Sequence, residues 1–233
     1  MTYPTNKVAD LQYWLVQKGA DIKIDGVGGP KTRQAIFDVF RNLRATRIAH
    51  AERLKLAART GATLRQISAV SAVEAPRGGW DKTGMLTALY ERHYGWRRWR
   101  VRIPLLSNPK PGGYTIDADR DGMNDSWEKV ADAACRFGAE AFECASWGKF
   151  QIMGAWWEKL GYKSVLDFVY ELSRSEYAHY DAFVRYLEEF NLVKAFRQVS
   201  SNPADNEELA EGYNGRNFRK YEYHVKIARE MQR

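Results

Sequence analysis

The sequence predicts a mainly α-helical protein with a small N-terminal domain and a larger second domain. Apolar side chains recur at intervals of three and four residues through most of the chain, which is the helical period. No strong run alternates apolar and polar residues, as a half-buried strand would. A length of 233 residues fits one small and one medium domain, and a hydrophobic fraction of 45% is enough for a core.

Residues 1–43 are predicted to form the first domain. Two apolar stripes at helical spacing flank the tight-turn sequences Asp25-Gly26 and Gly28-Gly29, and Pro30 suits the first turn of the second helix. The residues of the two stripes are Val8, Leu11, Leu15, Ile36, Phe37, Phe40 and Leu43. A unit this short has little core, which favours a binding module over an enzyme.

Residues 44–233 are predicted to form the second domain. A charged helical stretch from Arg44 to Arg59 begins it, and residues 103–116 have the composition of a Pro/Gly-rich loop. Further helical patterns cover residues 64–74, 85–93, 127–143, 164–173, 176–190, 204–212 and 217–231.

The formal net charge of +7 favours anionic partners such as outer-membrane or wall polymers. The densest basic stretch, Arg97–Arg102, is short and typical of a solvated face, so no nucleic-acid partner is expected. Two cysteines, Cys135 and Cys144, are too few for a disulfide framework and are expected to be reduced thiols. Since no signal peptide or transmembrane run is visible, synthesis in a cytoplasm is expected.

Glu74 differs from the other carboxylates because it continues an apolar helical face. Ile67, Val70 and Ser71 share that face, and Glu74 follows at its C-terminal end, before a Gly-rich break. Burial and the partial negative charge of a helix C-terminus both raise a carboxyl pKa. A carboxylic acid that stays protonated near neutral pH can protonate the leaving oxygen in glycosidic cleavage. A Glu that turns into solvent at the helix end is the alternative.

Five short motifs stand in order along the second domain. They are Ser71-Ala72-Val73-Glu74, Leu89-Tyr90-Glu91-Arg92-His93, Lys110-Pro111-Gly112-Gly113-Tyr114, the block Ser146–Gly154 and Tyr213-Asn214-Gly215. Together they resemble the N-acetylmuramidase domain of modular phage endolysins, in the lysozyme-like superfamily, over about residues 47–233. The resemblance implies a lysozyme-like helical fold. It also implies a glycoside hydrolase that cleaves the β-1,4 bond between N-acetylmuramic acid and N-acetylglucosamine for host lysis, with Glu74 as the general acid.

The same resemblance implies a set of substrate-binding residues. Gln151 carries an amide that can donate and accept toward sugar groups, and Tyr213 and Asn214 can do the same. Ser146 belongs to the same block as Gln151 and completes the expected set. Tyr-Asn-Gly is also an ordinary turn sequence, which is the alternative interpretation.

A second catalytic carboxylate is less clear, although paired carboxylates are usual in glycoside hydrolysis. Glu91 matches a family motif and is expected to be a supporting acid, ion-paired with an arginine; a plain salt bridge is the alternative. Asp81 lies in the loop after Glu74. The chain departs from the family in that loop, where Pro76 and Arg77 replace the usual small residues, so a different turn is expected and Arg77 could pair with a carboxylate.

The first domain has a resemblance of its own. The residues that carry it are Val8-Ala9-Asp10-Leu11-Gln12, Leu15, Gly19, Asp25-Gly26-Val27-Gly28-Gly29, Thr32, Ala35 and Phe40. They resemble the peptidoglycan-binding domain found in many wall hydrolases, which implies a three-helix wall-binding module. The expected partner is the peptidoglycan glycan strand, reached by a monomeric protein after its release from the host cytoplasm.

Residues 117–128 fit an EF-hand calcium loop, with oxygen ligands at its usual positions and Gly122 at the turn. The expected ligands of one structural Ca²⁺ are Asp117, Asp119, Asp121, the Met123 carbonyl, Asp125 and Glu128. The match departs at Asn124, where an aliphatic residue is usual, and in its Pro/Gly-rich approach. A solvated acidic loop, with Asp125 or Ser126 capping the next helix, is the alternative. No cofactor is expected for catalysis itself.

Two other functions compete with a muramidase. A lytic transglycosylase cleaves the same bond through the sugar's own 6-hydroxyl and leaves 1,6-anhydromuramic products. A non-catalytic wall- or nucleic-acid-binding protein would not need Glu74. A zinc amidase or a Cys/His peptidase is disfavoured, because the four histidines stand singly in the sequence and the two cysteines fit apolar packing positions.

Overall fold

The computed structural model describes residues 6–75 and 78–233 and is mainly helical, as the sequence predicts. The helices are α1 (Lys7–Gln17), α2 (Pro30–Phe40), α3 (His50–Thr60), α4 (Leu64–Glu74), α5 (Arg92–Trp99), α6 (Asp125–Phe137), α7 (Val165–Arg174), α8 (Glu176–Glu189), α9 (Val193–Gln198), α10 (Glu207–Asn214) and α11 (Tyr223–Gln232). The strands are β1 (Ala88–Tyr90), β2 (Ala145–Trp147) and β3 (Ile152–Met153), and short 3₁₀ helices cover Gly138–Cys144, Gly154–Trp156 and Pro203–Asn206. In the described residues, no helix is both long enough and apolar enough to cross a bilayer.

The chain packs as two compact units, each made of two segments. The first unit combines the described part of Met1–Ala45 with Trp80–Arg174, and the second combines Thr46–Gly79 with Ser175–Arg233. The sequence-based boundary after residue 43 lies two residues before the point where the chain passes from the first unit to the second. It does not enclose a domain, because the chain returns to the first unit at Trp80.

An aromatic core holds the N-terminal segment to the rest of the first unit. The Phe40 ring, at the end of α2, lies 5.5 Å from the Trp127 ring of α6 and 5.1 Å from the Phe142 ring, centroid to centroid. All three side chains are almost fully buried. The helical stripes predicted for α1 and α2 are confirmed except at Leu43, which lies beyond α2 and is 75% exposed. The buried members pack against α6 and the 3₁₀ helix Gly138–Cys144.

Two glycines permit this close packing. A Cβ at Gly28 would lie 1.9 Å from the Cys135 carbonyl oxygen, and one at Gly138 would lie 2.3 Å from the Lys7 carbonyl oxygen. Since neither backbone atom can yield cheaply, a side chain at either position would force the segments apart. The packing therefore does not support a separate three-helix module at residues 1–43: described residues 6–43 contain two helices, and both belong to the larger unit.

A small antiparallel sheet replaces the helix predicted at residues 85–93. β1 pairs with β2, placing Leu89 opposite Ser146, and β2 pairs with β3, placing Ser146 opposite Met153. Burial alternates along Leu86–Tyr90, which is the strand period. Every second residue there is buried, but Leu89 on the other face is also apolar. This masks the alternation that would distinguish a strand from a short helix.

The charged stretch predicted to be helical from Arg44 becomes a helix only at His50, and two further predicted helices begin or end elsewhere. The one predicted at 127–143 changes at Gly138, whose φ of +69° ends α6 and starts the 3₁₀ turn. The one predicted at 217–231 begins only at Tyr223, after turns that carry Glu222 in the left-handed region. In both cases the spacing of apolar residues continues past a residue with positive φ that interrupts the helix, so the spacing does not reveal the interruption.

In the second unit, α4 packs against α11, and α3 packs against α4 and α8. Thr63 and Gln66 form a reciprocal capping box at the start of α4, which fixes where that helix begins. Further along the helix, the Ser71 Oγ lies 2.8 Å from the Tyr180 hydroxyl of α8, in the buried interior. Asn206, also buried, donates from Nδ2 to the His224 carbonyl of α11 at 3.1 Å. These contacts set the position of the C-terminal end of α4.

Candidate active site

Glu74 is the last residue of α4, and every group that influences it below belongs to the second unit. The helical face that leads to it is buried, while Glu74 itself keeps some exposure to solvent. Burial raises the pKa of Glu74 to about 7, against the lowering influence of the Asn214 amide and of the Lys226 charge. Such a carboxyl is about half protonated at neutral pH. A protonated carboxyl beside solvent can deliver a proton to a bound ligand.

The end of α10 brings Asn214 and Tyr213 to this carboxyl. Asn214 donates from Nδ2 to Glu74 Oε1 at 2.9 Å. α10 ends there because Gly215 takes a φ of +76°, a conformation that glycine adopts readily. The Tyr213 ring packs edge-on against the Tyr186 ring of α8 at 5.1 Å. Burial, followed by the negative charge of Glu74, raises the pKa of Tyr213 well above its ordinary value, so its hydroxyl stays neutral.

The first turn of α11 contributes two residues that sequence reasoning missed. The Lys226 ammonium lies 5.5 Å from the centroid of the Tyr223 ring. Burial raises the pKa of Tyr223, and the charges of Glu74 and Tyr221 raise it further. Their spacing of three residues in a basic, aromatic stretch after Tyr-Asn-Gly is a weak indication in the sequence. The influence of Lys226 on Glu74 depends on α11 packing against α4, which no local pattern reveals.

Ser146 and Gln151 lie in the first unit, where they build the β2–β3 hairpin. Ser146 Oγ donates to Gln151 Oε1 at 2.9 Å, and Gln151 Nε2 donates to the carbonyls of Gly148 and Thr87 at 2.8 and 3.2 Å. Gln151 also has a φ of +49°. Both amide hydrogens are thus engaged inside the protein, and only Oε1 keeps a lone pair for a sugar hydroxyl. The local role of this pair is to shape the hairpin.

Glu91, also in the first unit, follows β1 directly and precedes α5. Its Oε2 accepts a 2.6 Å hydrogen bond from the Tyr114 hydroxyl and lies 3.2 Å from His93 Nδ1. Among the described residues no arginine pairs with it, so the predicted Glu–Arg pair is wrong there. Arg92 instead donates to three backbone carbonyls, those of Pro104, Lys110 and Pro111. The hydrogen bonds of Glu91 and Arg92 therefore connect the motif at residues 89–93 to the motif at residues 110–114.

The tyrosine partner of Glu91 has a raised pKa of its own. Burial raises the pKa of Tyr114 to about 12, with a further contribution from its hydrogen bond to the Glu91 carboxylate. A phenol with so high a pKa remains a donor throughout the neutral range. The Tyr114 hydroxyl therefore stays neutral and keeps its proton for the hydrogen bond to Glu91 Oε2.

The acidic loop at 117–128 brings its carboxylates together in two overlapping groups. Oxygens of Asp117, Asp119 and Asp121 lie within 4.8 Å of one another, and so do oxygens of Asp119, Asp125 and Glu128. Gly122 has a φ of +89°, as the turn position of such a loop requires. The shared member of the two groups is Asp119, which is exposed.

Two of the expected ligands also have partners within the protein. Asp125 Oδ1 accepts from the Ala118 N–H at 3.0 Å, and Glu128 Oε1 accepts from Arg33 Nη2 at 2.6 Å. Although burial raises the pKa of Asp125, hydrogen bonds and the charge of Lys129 lower it overall, so it is ionised. The helix cap is neither Asp125 nor Ser126 but Asn124, whose side chain accepts from the Ser126 N–H at 2.8 Å.

The chemistry of two competing enzyme classes finds no support in the described residues. Cys135 and Cys144 are free thiols, as predicted, and burial raises the pKa of both, that of Cys144 to about 12. Neither is an activated nucleophile. Within residues 6–75 and 78–233, groups of three or more potential metal ligands occur only in the acidic loop, and they contain no histidine. This disfavours a zinc amidase or peptidase. Pro76 and Arg77, where the chain departs from the family motif, lie outside the described residues.

Comparison with known proteins places this geometry in a family. Residues 63–233 match the family model described as Muramidase: N-acetylmuramidase. The crystal structure of Burkholderia AP3 phage endolysin is similar in fold, with a TM-score of 0.70 and 30% sequence identity over 97% of this chain and 93% of that one. No curated protein matches the chain. The family match begins after the N-terminal helices and gives no support to a separate wall-binding domain at residues 1–43.

Proposed function

The chain belongs to the N-acetylmuramidase family, a group of peptidoglycan-degrading glycoside hydrolases, and on that premise we propose that Glu74 is its general acid. The bond that we propose it cleaves is the β-1,4 linkage from N-acetylmuramic acid to N-acetylglucosamine. In this proposal the protein acts as an endolysin, which degrades the cell wall of the host. The observation that carries the proposal is a pKa of about 7 for a carboxyl at the end of a buried helical face. A general acid works best when its pKa lies near the working pH.

The contact with Asn214 assigns the two oxygens of Glu74 different tasks. Because Oε1 accepts the Asn214 N–H, the carboxyl proton belongs on Oε2. Oε2 would then protonate the glycosidic oxygen as the bond breaks. The carboxylate that results is stabilised by the same Asn214 hydrogen bond and by the charge of Lys226. Water adds to the sugar in a hydrolase, and a neighbouring carboxylate can accept its proton.

Replacing Glu74 by Gln tests the assignment because it keeps the shape of the side chain and removes the transferable proton. We expect clearing of purified peptidoglycan to fall by at least about 10²–10⁴-fold. Glu208→Gln is the matched control, since Glu208 is an exposed glutamate on α10, and it should clear at the wild-type rate. A folded Glu74→Gln enzyme that clears at the wild-type rate would exclude Glu74 as the acid.

The products separate hydrolysis from transglycosylation. Hydrolysis leaves N-acetylmuramic acid with a free reducing end, whereas attack by the sugar's own 6-hydroxyl leaves a 1,6-anhydro ring. We expect reducing-end muramic acid, which mass spectrometry of borohydride-reduced muropeptides detects as the alditol. Anhydro products from the wild-type enzyme would assign the chain to the transglycosylases while leaving Glu74 as the acid.

The proposal also includes one structural Ca²⁺ in the acidic loop. Calcium takes six to eight oxygens at about 2.3–2.6 Å, so its ligand oxygens lie within about 5 Å of one another. The two carboxylate groups that share Asp119 satisfy this distance. Glu128 already binds Arg33, so it would be the weakest of the expected ligands. The ion would offset repulsion among carboxylates and plays no part in the proton transfer.

A further inference from the structure

The segment from Arg92 to Ile116 is basic throughout and presents an exposed apolar tip. It contains five arginines and one lysine, with no aspartate or glutamate. Within it, residues 97–105 form the end of α5 and the turn that follows, together called the turn at residues 97–105 below. This turn exposes Val101 to 51% and Leu105 to 57% of their full areas. Neither side chain packs into the core, so this surface is unusual in combining bare aliphatic groups with concentrated positive charge.

Hydrogen bonds within the first unit fix the backbone of this turn. The Ile103 N–H donates to the Ser107 carbonyl at 2.9 Å, and the Ser107 N–H donates back to the Ile103 carbonyl at 2.7 Å. The Tyr90 hydroxyl donates to the Leu106 carbonyl at 2.9 Å, and Arg92 donates to the Pro104 carbonyl at 3.1 Å. Leu106 is buried beneath the turn. The backbone that carries Leu105 is therefore fixed, and its exposure is a property of the folded unit.

The arginines of this turn differ in whether a carboxylate of the protein pairs with them. Arg98 forms an ion pair with Glu143, so its charge is offset within the protein. Arg97, Arg100 and Arg102 are exposed, and among the described residues no carboxylate pairs with any of them. Arg97 lies over the Tyr94 ring at 5.2 Å, which leaves its outer edge toward solvent. Three exposed arginines thus lie in the same short segment as the two exposed aliphatic side chains.

We propose that the turn at residues 97–105 docks on the surface of an anionic phospholipid bilayer, with Arg97, Arg100 and Arg102 on lipid phosphates and Val101 and Leu105 inserted among the headgroups. Guanidinium groups match phosphate oxygens in geometry and charge. Anionic lipids attract basic segments, and apolar side chains add affinity only where a low-polarity layer receives them. A soluble polyanion would use the arginines alone. The inference concerns a surface outside the glycan-cleaving chemistry and does not depend on it.

Flotation with vesicles tests this docking surface. We expect the full chain to bind vesicles of phosphatidylglycerol and phosphatidylethanolamine at 0.15 M salt and to bind pure phosphatidylcholine weakly. Arg97→Gln/Arg100→Gln/Arg102→Gln should lower the partition coefficient by about fivefold for each arginine, hence on the order of 100-fold in all. Val101→Ser/Leu105→Ser leaves the charge unchanged and should lower it about tenfold.

A control variant separates this turn from the diffuse positive charge of the protein. Lys31→Gln/Lys163→Gln/Lys194→Gln removes three exposed cations elsewhere and should stay within about threefold of wild type. An equal loss in the control, or no binding of the wild type to anionic vesicles, overturns the proposal. A serine pair that binds like wild type overturns it too, because the turn would then recognise charge alone, as a nucleic-acid or wall-polymer site does. Melting curves check that every variant is folded.

Discussion

At the scale of single residues, the chemistry of Glu74 depends on a balance. Burial favours its neutral acid, while the Asn214 amide and the Lys226 ammonium favour its carboxylate. The balance leaves the pKa near neutrality, where one group can hold a proton before cleavage and release it during cleavage. Removing either opposing contact should therefore move the pKa upward, away from the ordinary value of a glutamate.

Lys226→Met tests this balance without touching the carboxyl. Loss of the positive charge disfavours the carboxylate, so the alkaline limb of the pH–rate profile should shift to higher pH. At pH 8 the variant should keep roughly two- to threefold more of its maximal activity than wild type keeps. Lys194→Met, an exposed lysine of α9, is the control and should leave the profile unchanged. Coincident profiles for Lys226→Met and wild type would mean that Lys226 does not tune Glu74.

At the scale of elements, local sequence patterns predicted the buried face of a helix better than they predicted its packing partners. The apolar face of α4 predicted the buried environment of Glu74 correctly, because the spacing of apolar residues along a helix indicates which face is buried. The hydrogen bond from Asn214 joins residues 140 positions apart. Only the family motif indicated Asn214, and only the weak basic and aromatic spacing after it indicated Lys226. The β1 strand was missed because an apolar residue on its outer face masked the alternation.

The acidic loop gives a prediction at this scale. Asp119 belongs to both carboxylate groups, so Asp119→Asn should weaken calcium binding most. The melting temperature of the wild type should rise with calcium and fall with chelator, since a ligand at 100 times its Kd stabilises by about 2.7 kcal/mol. Magnesium should substitute poorly.

Asp10→Asn removes an exposed aspartate of α1 and serves as the control for that measurement. It should respond to calcium as wild type does, whereas Asp119→Asn should not. If wild type itself melts at one temperature with millimolar calcium and with chelator, the loop is an acidic turn without a metal.

At the scale of the whole molecule, the N-terminal helices belong to the first unit's core. Phe40→Ala should therefore destabilise the entire unit by about 3–5 kcal/mol, the usual effect of deleting a buried aromatic ring. Chemical denaturation followed by tryptophan fluorescence measures this, because Trp127 and Trp147 lie in that core. Tyr13→Ala, at a 58% exposed position of α1, should change stability little. Unfolding of Phe40→Ala in a separate early step, with the tryptophan transition unmoved, would restore an independent module.

The limits of sequence reasoning at this scale have a physical cause. The periods of α1 and α2 show that each buries a face, but not that Phe40 meets Trp127 and Phe142. Small size suggested a self-contained module, whereas the glycines at 28 and 138 permit contacts that remove its independence. The packing partner of each apolar helix face is determined by contacts between residues that are far apart in the chain.

The central claim is that Glu74 acts as a protonated acid, and the pH dependence of kcat/KM on solubilised peptidoglycan tests it most directly. This profile reports the ionisation of essential groups in the free enzyme. Because the pKa of Glu74 is raised to about 7, the active form prevails below that pH and is lost above it. We expect kcat/KM to fall with an alkaline midpoint near 7 and then about tenfold per pH unit. A profile that stays flat from pH 6 to pH 9 in folded enzyme would contradict the claim.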